Sequence, residues 1–121
     1  METNIQHQEP CQYAEVYISD MLALKNIFQQ TQNTRKINTE FGIPFLLARK
    51  KNEVVGFASL IIQEKSGIAF KIFENKGMTE AEKKDFVSRA ERYIKASTAS
   101  NFRNPEQLKS SIQKMISWLN M

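Results

Sequence analysis

The stretch FENKGMTEAEKKDF, residues 73–86, combines residue types that can hold an anion. An apolar, strand-like run ends here and passes through one glycine into a strongly helical run. Backbone N–H groups at such a strand-to-helix turn can bind a phosphate, because they point outward from the start of the helix. The candidate binding residues are therefore Lys76, Gly77, Met78 and Thr79.

The same stretch also predicts an ordinary helix cap. Thr79 followed three residues later by Glu82 is a capping box, in which the hydroxyl and the carboxylate each accept a backbone N–H. These are the N–H groups that a phosphate would need. Glu80 and Glu82 also place two negative charges on the first turn, which favours the helix dipole and repels a pyrophosphate. We therefore favour a structural cap over a phosphate site.

Around this stretch the sequence predicts an α+β fold. Residues 1–11 are expected to form a flexible tail, and residues 12–121 a single domain, as the length of 121 residues allows. Hydrophobic periodicity predicts these elements: a strand at 12–18, a helix at about 21–31, strands at 45–49, 54–62 and 68–73, a helix at about 80–96 and a last helix from Pro105. Short turns between the last three strands favour antiparallel pairing.

The strand at 54–62 is expected to be central, because it is apolar on both faces. Strict alternation assigns Val54, Ala58, Leu60 and Ile62 to one face, and Val55, Phe57 and Ile61 to the other. Gly56 within this strand predicts a bulge or a close approach of another backbone.

This order of elements resembles the GNAT acetyltransferase superfamily over roughly residues 12 to 96. AEVYISDMLALKNIF looks like the first strand and helix of that family, PFLLARKKNEVVGFASLII like its second and third strands, and IAFKIF like its fourth. The resemblance implies a mixed, mostly antiparallel sheet with helices packed on it, in the shortened order β-α-β-β-β-α-α. The fifth strand of the family has no counterpart, since residues 97–104 are short and polar.

The resemblance implies an acyl-CoA site between the fourth strand and the next helix. The family carries an Arg/Gln-x-x-Gly-x-Gly/Ala turn there, and this chain has ENKGMT. Gly77 stands for one signature glycine, but Thr79 occupies the second small position and Glu74 the leading one. Amine acylation also needs a general base, for which Glu64 and Glu74 beside the fourth strand are candidates. Exposed turn carboxylates without a catalytic role are the interpretation we favour for both.

Composition excludes several classes of protein. No apolar run approaches the roughly 20 residues of a membrane span, so we expect no membrane partner. The polar N-terminus has no apolar segment typical of a secretory signal. The single cysteine, Cys11, excludes an intramolecular disulfide and predicts a reducing cytoplasm. One cysteine and one histidine, His7, also argue against a zinc site, so we expect no bound metal.

The sequence permits two kinds of macromolecular partner. The net charge of +4 and the basic residues of the helix at 80–96 permit nucleic-acid binding. Most of these cations have an acid one turn away, so we disfavour this class of partner. The last helix ends in a wide apolar stripe that includes Met115, Trp118, Leu119 and Met121. Core packing is the default for such a stripe, and a homodimer contact is the alternative.

We therefore expect a small cytoplasmic binding or interaction protein built on a degenerate acetyltransferase-like domain, with weak or no acyl-CoA activity. Its partner would be a small molecule or a protein, and it would need no cofactor. One alternative is an N-acetyltransferase, for which acetyl-CoA or CoA would be the cofactor. The other alternative is an adaptor for nucleic acid or protein.

Overall fold

A four-stranded antiparallel sheet with helices on both faces forms the framework of the protein. The computed structural model describes residues 10–63, 67–75 and 77–121, so nearly all of the predicted tail lies outside the described residues. The elements are β1 (Gln12–Glu15), α1 (Met21–Gln32), β2 (Ile43–Lys50), β3 (Glu53–Gln63), β4 (Gly67–Glu74), α2 (Glu80–Ala96) and α3 (Pro105–Leu119). The predicted α+β class and the order of elements are confirmed.

The strands lie in the sheet in chain order, β1-β2-β3-β4, and each is antiparallel to its neighbour. β3 extends beyond β2 at one end, because the first residue of β2, Ile43, lies opposite Leu60 and β3 continues to Gln63. Residues 61–63 of β3 therefore pair with β4 and have no β2 residue opposite them. This overhang leaves an opening beside the end of β3.

A bulge interrupts the pairing of β2 with β3 next to Gly56. The register passes from Ala48 opposite Gly56 to Arg49 opposite Val54, so Val55 is the extra residue. A Cβ at Gly56 would lie only 3.0 Å from the carbonyl oxygen of the neighbouring β4 strand. Both expectations for Gly56 are confirmed.

The bulge also corrects one sequence-based assignment. Val54 contacts the same cluster as Phe57, whereas Val55 joins the cluster on the opposite face, with Ala58 and Leu60. The strict alternation that placed Val54 and Val55 the other way round was wrong, because the extra residue shifts the side-chain pattern by one position.

Two buried clusters hold the helices to the sheet. The first lies under α1 and contains Met21, Leu24, Ile27, Phe28, Ile37, Phe41, Leu47, Phe57, Phe73 and Leu119. The second lies under α2 and α3 and contains Phe45, Leu46, Ala48, Val55, Ala58, Leu60, Met78, Phe86, Ala90, Leu108 and Ile112. The apolar sides of α1, α2 and α3 thus form much of the core, although Leu22 of α1 is 70% exposed and Val87 of α2 is 37% exposed.

The connection from α1 to β2 is anchored by the other end of the chain. α1 ends at Asn33, which has a left-handed backbone with a φ of 51°. Further on, the backbone N–H of Ile37 donates to Asn120 Oδ1 at 2.9 Å, and Asn120 Nδ2 donates to the Ile37 carbonyl at 2.8 Å. These two bonds and the burial of Ile37 and Phe41 fix a segment that the sequence left ambiguous.

The end of α3 is the least buried part of the helical layer. Leu119 is in the core, but Trp118 is 49% exposed and Met121 is 99% exposed. Core packing therefore accounts for Leu119 and for part of Met115, but not for Trp118 or Met121, and the homodimer contact stays a prediction. Among the described residues, every helix is too short or too polar to cross a lipid bilayer.

Candidate functional site

The turn between β4 and α2 is closed by its own hydrogen bonds. The backbone N–H of Asn75 donates to the carbonyl of Val55, at the β3 bulge, at 3.0 Å. The Asn75 side chain turns forward, and its Oδ1 accepts the N–H of Gly77 at 2.9 Å. This is the local Asx geometry by which asparagine satisfies a turn. The Gly77 N–H, which a phosphate site would use, already has a partner inside the protein.

The start of α2 is capped as the sequence predicts. Thr79 Oγ1 accepts the N–H of Glu82 at 3.1 Å, and Glu82 Oε1 accepts the N–H of Thr79 at 2.8 Å. The capping box is therefore confirmed. Two of the N–H groups at this helix start are bound by side chains of the helix itself.

Gly77 is required by packing. A Cβ at this position would lie 2.7 Å from Cγ1 of Val55 and 3.1 Å from Oδ1 of Asn75. The turn lies so close to the bulge in β3 that a side chain at residue 77 has no room. Met78 follows and buries its side chain, with its sulfur beside Gly56.

The candidate binding residues that the structure describes lie in different environments. Gly77 and Thr79 use their N–H groups within the turn, and Met78 belongs to the core. Lys76 lies outside the described residues. Of the described candidates, Gly77 and Thr79 therefore have N–H groups that already have partners, and Met78 has a buried side chain.

The charged side chains around the turn are paired with one another. Glu82 Oε1 lies 2.7 Å from Nζ of Lys50, and Nζ of Lys83 lies 3.3 Å from Glu74 and 3.2 Å from Glu80. Burial acts to raise the pKa of Glu82, but hydrogen bonds from Lys50 and from the Thr79 N–H outweigh it and lower that pKa. The ammonium groups of Lys50 and Lys83 thus form ion pairs with the three carboxylates Glu74, Glu80 and Glu82.

Glu74, a candidate general base, is one of the carboxylates paired with Lys83. It lines an open depression of about 530 Å³ together with Gln30, Thr31 and Asn75. None of these described lining residues is a cation, so they do not themselves balance the charge of an anionic cofactor. Glu64, the other candidate base, lies outside the described residues.

Cys11 lies closer to the turn than the sequence indicates. Its thiol pKa is raised, first by burial and then by the negative charge of Glu82. A raised pKa keeps the sulfur protonated and poorly nucleophilic at neutral pH. The raised pKa therefore disfavours Cys11 as a nucleophile at neutral pH.

A second concave site, which we name the β3-end cleft, was missed by the sequence reasoning. It has a volume of about 320 Å³ and is lined by Thr39, Glu40, Ile61, Ile62, Lys71, Lys109, Ile112 and Gln113. These residues come from four separate parts of the chain. The sequence carried no signal for the site, because each residue alone looks like an ordinary surface or core position.

Among the residues that the structure describes, no three His, Cys, Asp or Glu side chains converge in the way a metal site needs. In comparisons with known proteins, no family model, curated protein or solved structure matches the chain.

Proposed function

We propose that this protein is a small binding or interaction protein, a shortened acetyltransferase-like domain with weak or no acyl-CoA activity. The observation that carries the proposal is the state of the turn before α2. The N–H groups of Gly77, Thr79 and Glu82, which an anion would need, donate to Asn75, Glu82 and Thr79 side chains. A reducing cytoplasmic location is part of the same proposal.

The energetics of the turn support a structural role. A pyrophosphate could reach these N–H groups only after the capping box opened, and a lost N-cap costs about 0.5–2 kcal/mol. Because each 1.4 kcal/mol corresponds to about a tenfold change in affinity, the cap alone would weaken binding by about two- to thirtyfold. Repulsion from Glu74, Glu80 and Glu82 would add to that loss.

The architecture after α2 supports the same conclusion. The described sheet ends at β4, and the chain passes from α2 through a 3-10 turn into α3. α3 packs Leu108 and Ile112 against the core under the sheet. The sequence offers no counterpart of the family's fifth strand, and in the described residues a packed helix follows α2.

Calorimetric titration with acetyl-CoA and with CoA tests the proposal. We expect no saturable heat up to about 1 mM ligand, a limit near −4 kcal/mol of binding free energy. Saturable binding that is weakened by Lys83→Glu, at the turn, but not by Lys114→Glu, on exposed α3 surface, would refute it. That outcome would favour the N-acetyltransferase alternative, and CoA release with amine substrates would then decide between binding and catalysis.

The partner also belongs to this proposal. Several of the basic residues that could contact nucleic acid are engaged in ion pairs, such as Arg49 at 2.8 Å from Asp20 and Arg89 at 3.0 Å from Asp85. We therefore propose a small molecule or a protein as the partner. The homodimer predicted through α3 is tested by light scattering, with Trp118→Ala expected to shift any dimer towards monomer.

A further inference from the structure

The β3-end cleft exists because β2 starts late. Before Ile43 the chain leaves the sheet at Gly42, whose φ is 65° and which lies too close to the carbonyl of Leu60 for any side chain. The end of β3 therefore projects beyond β2. α3 and the 3-10 turn Thr39–Phe41 enclose the resulting space, which has a volume of about 320 Å³. This volume is near the lower end of the range for small-molecule sites.

The floor of the cleft is apolar. Ile61 and Ile62 come from the end of β3, and Ile112 comes from α3. Ile112 is almost completely buried, whereas Ile62 is 38% exposed and is one of the few large apolar side chains left open to solvent. An apolar group placed in the cleft would remove Ile62 from water, which is the general driving force for small-molecule binding.

The backbone at this point offers a further polar contact. Alternate residues of an antiparallel strand direct their N–H and C=O to opposite neighbours. Since β2 is missing beside residues 61–63, either Ile61 or Ile62 directs its backbone groups towards the cleft. These groups can fix the orientation of a ligand, as single backbone groups do in other small-molecule sites.

The charges at the rim favour an anion of low charge. Lys71 donates to Glu40 at 3.0 Å, which leaves further N–H donors on its ammonium group. Lys109 makes no ion pair with any described residue and is exposed. Two ammonium groups and one carboxylate give the lining a net charge of +1. A single carboxylate complements this charge, whereas Glu40 would repel a phosphate dianion.

We propose that the β3-end cleft binds a small apolar molecule that carries one carboxylate, with the apolar body on Ile61, Ile62 and Ile112 and the carboxylate at Lys109 and Lys71. This inference names the ligand class for the proposed binding function and rests on that function. It does not depend on the hydrogen bonds of the turn before α2, which is built from other residues.

Calorimetric titration with octanoate tests the inference, with octan-1-ol and octylamine as probes of similar shape and different charge. We expect saturable binding of octanoate, weaker binding of octan-1-ol and no binding of octylamine. Lys109→Ala should weaken octanoate binding about two- to fivefold, the usual range for an exposed ion pair. Lys114→Ala, which removes an exposed lysine of the same helix outside the cleft, should have no effect.

A second variant tests the apolar floor. Ile62→Glu places a carboxylate on an already exposed position and should abolish octanoate binding while circular dichroism shows an unchanged fold. The inference is overturned if octanoate gives no saturable heat, if octan-1-ol binds as tightly, or if Lys109→Ala and Lys114→Ala bind equally. An acidic peptide terminus that displaces octanoate would identify a protein as the source of the carboxylate. A negative result with octanoate would not alter the result expected for acetyl-CoA. The two experiments therefore distinguish a failure of the ligand class from a failure of the proposed function.

Discussion

Gly77 provides the sharpest test of whether packing or a ligand shapes the turn before α2. Alanine at this position would bring its Cβ to 2.7 Å from Cγ1 of Val55, a distance that forces one of the two groups to move. Val55 is 6% exposed and held in the β3 bulge, so it has little freedom to shift. Overpacking of this kind costs about 1–3 kcal/mol.

The expected net effect of Gly77→Ala is somewhat smaller. Replacing glycine lowers the entropy of the unfolded chain, which stabilises the protein by about 0.4–1 kcal/mol. We therefore expect the free energy of unfolding to fall by about 1–2 kcal/mol. Urea denaturation followed by circular dichroism measures this change, with a melting-temperature drop of roughly 3–5 °C per kcal/mol for this chain length.

A double-mutant cycle with Val55→Ala isolates the contact. Val55→Ala alone removes two buried carbons and should cost about 1.5–2.5 kcal/mol. In the double variant the new methyl of residue 77 occupies the vacated space. We therefore expect Gly77→Ala with Val55→Ala to cost about 1–2 kcal/mol less than the sum of the single changes. Additive costs, or a Gly77→Ala variant as stable as the wild type, would refute the packing explanation.

Three further changes test other parts of the structure. Glu82→Gln should lower the free energy of unfolding by about 0.5–1 kcal/mol near pH 7, by weakening the cap and the pair with Lys50. Because the folded pKa of Glu82 lies below its usual 4.5, this difference should be fully present above that pH and disappear as the pH falls through the folded pKa. Ser59→Ala should leave the melting temperature unchanged or raise it, since Ser59 Oγ is buried without a partner in the described residues. Asn120→Ala should cost about 1–3 kcal/mol and accelerate hydrogen exchange of the Ile37 amide, which loses its acceptor.

Controls make each of these outcomes decisive. Glu91→Gln changes an exposed carboxylate of the same helix and should leave the free energy of unfolding near pH 7 unchanged. A Glu82→Gln difference that grows as the pH falls would contradict the assigned pKa shift. A clear loss of stability in Ser59→Ala would show that the hydroxyl has a partner. Unchanged exchange of the Ile37 amide in Asn120→Ala would show that Asn120 does not anchor the segment.

Features encoded by neighbouring residues could be predicted from the sequence. The capping box of Thr79 and Glu82 forms as predicted, because both partners lie within one helical turn. The cap of α3 is equally local, since the side chain of Asn104 accepts the N–H groups of Glu106 and Gln107. Gly56 correctly indicated the bulge, but the pattern could not show that Val55 was the extra residue.

Features that depend on distant residues could not be predicted in this way. Asn120 bonds to Ile37 across 83 residues, and neither residue belongs to a motif. The β3-end cleft arises from the different lengths of β2 and β3 and from the position of α3 above them. The sequence suggested that Gly77 binds phosphate, whereas the structure shows that a side chain there would collide with Val55 of β3. The sequence could not show this contact, because the two residues lie in different elements.

The most direct test of the central claim is a ¹H–¹⁵N NMR titration that follows the amides of Gly77, Thr79 and Glu82. These are the N–H groups that the protein uses internally and that a bound pyrophosphate would need. With CoA or inorganic pyrophosphate up to about 1 mM, we predict no saturable shift of the three resonances. Saturable shifts confined to these amides would contradict the account and identify the turn as an anion site.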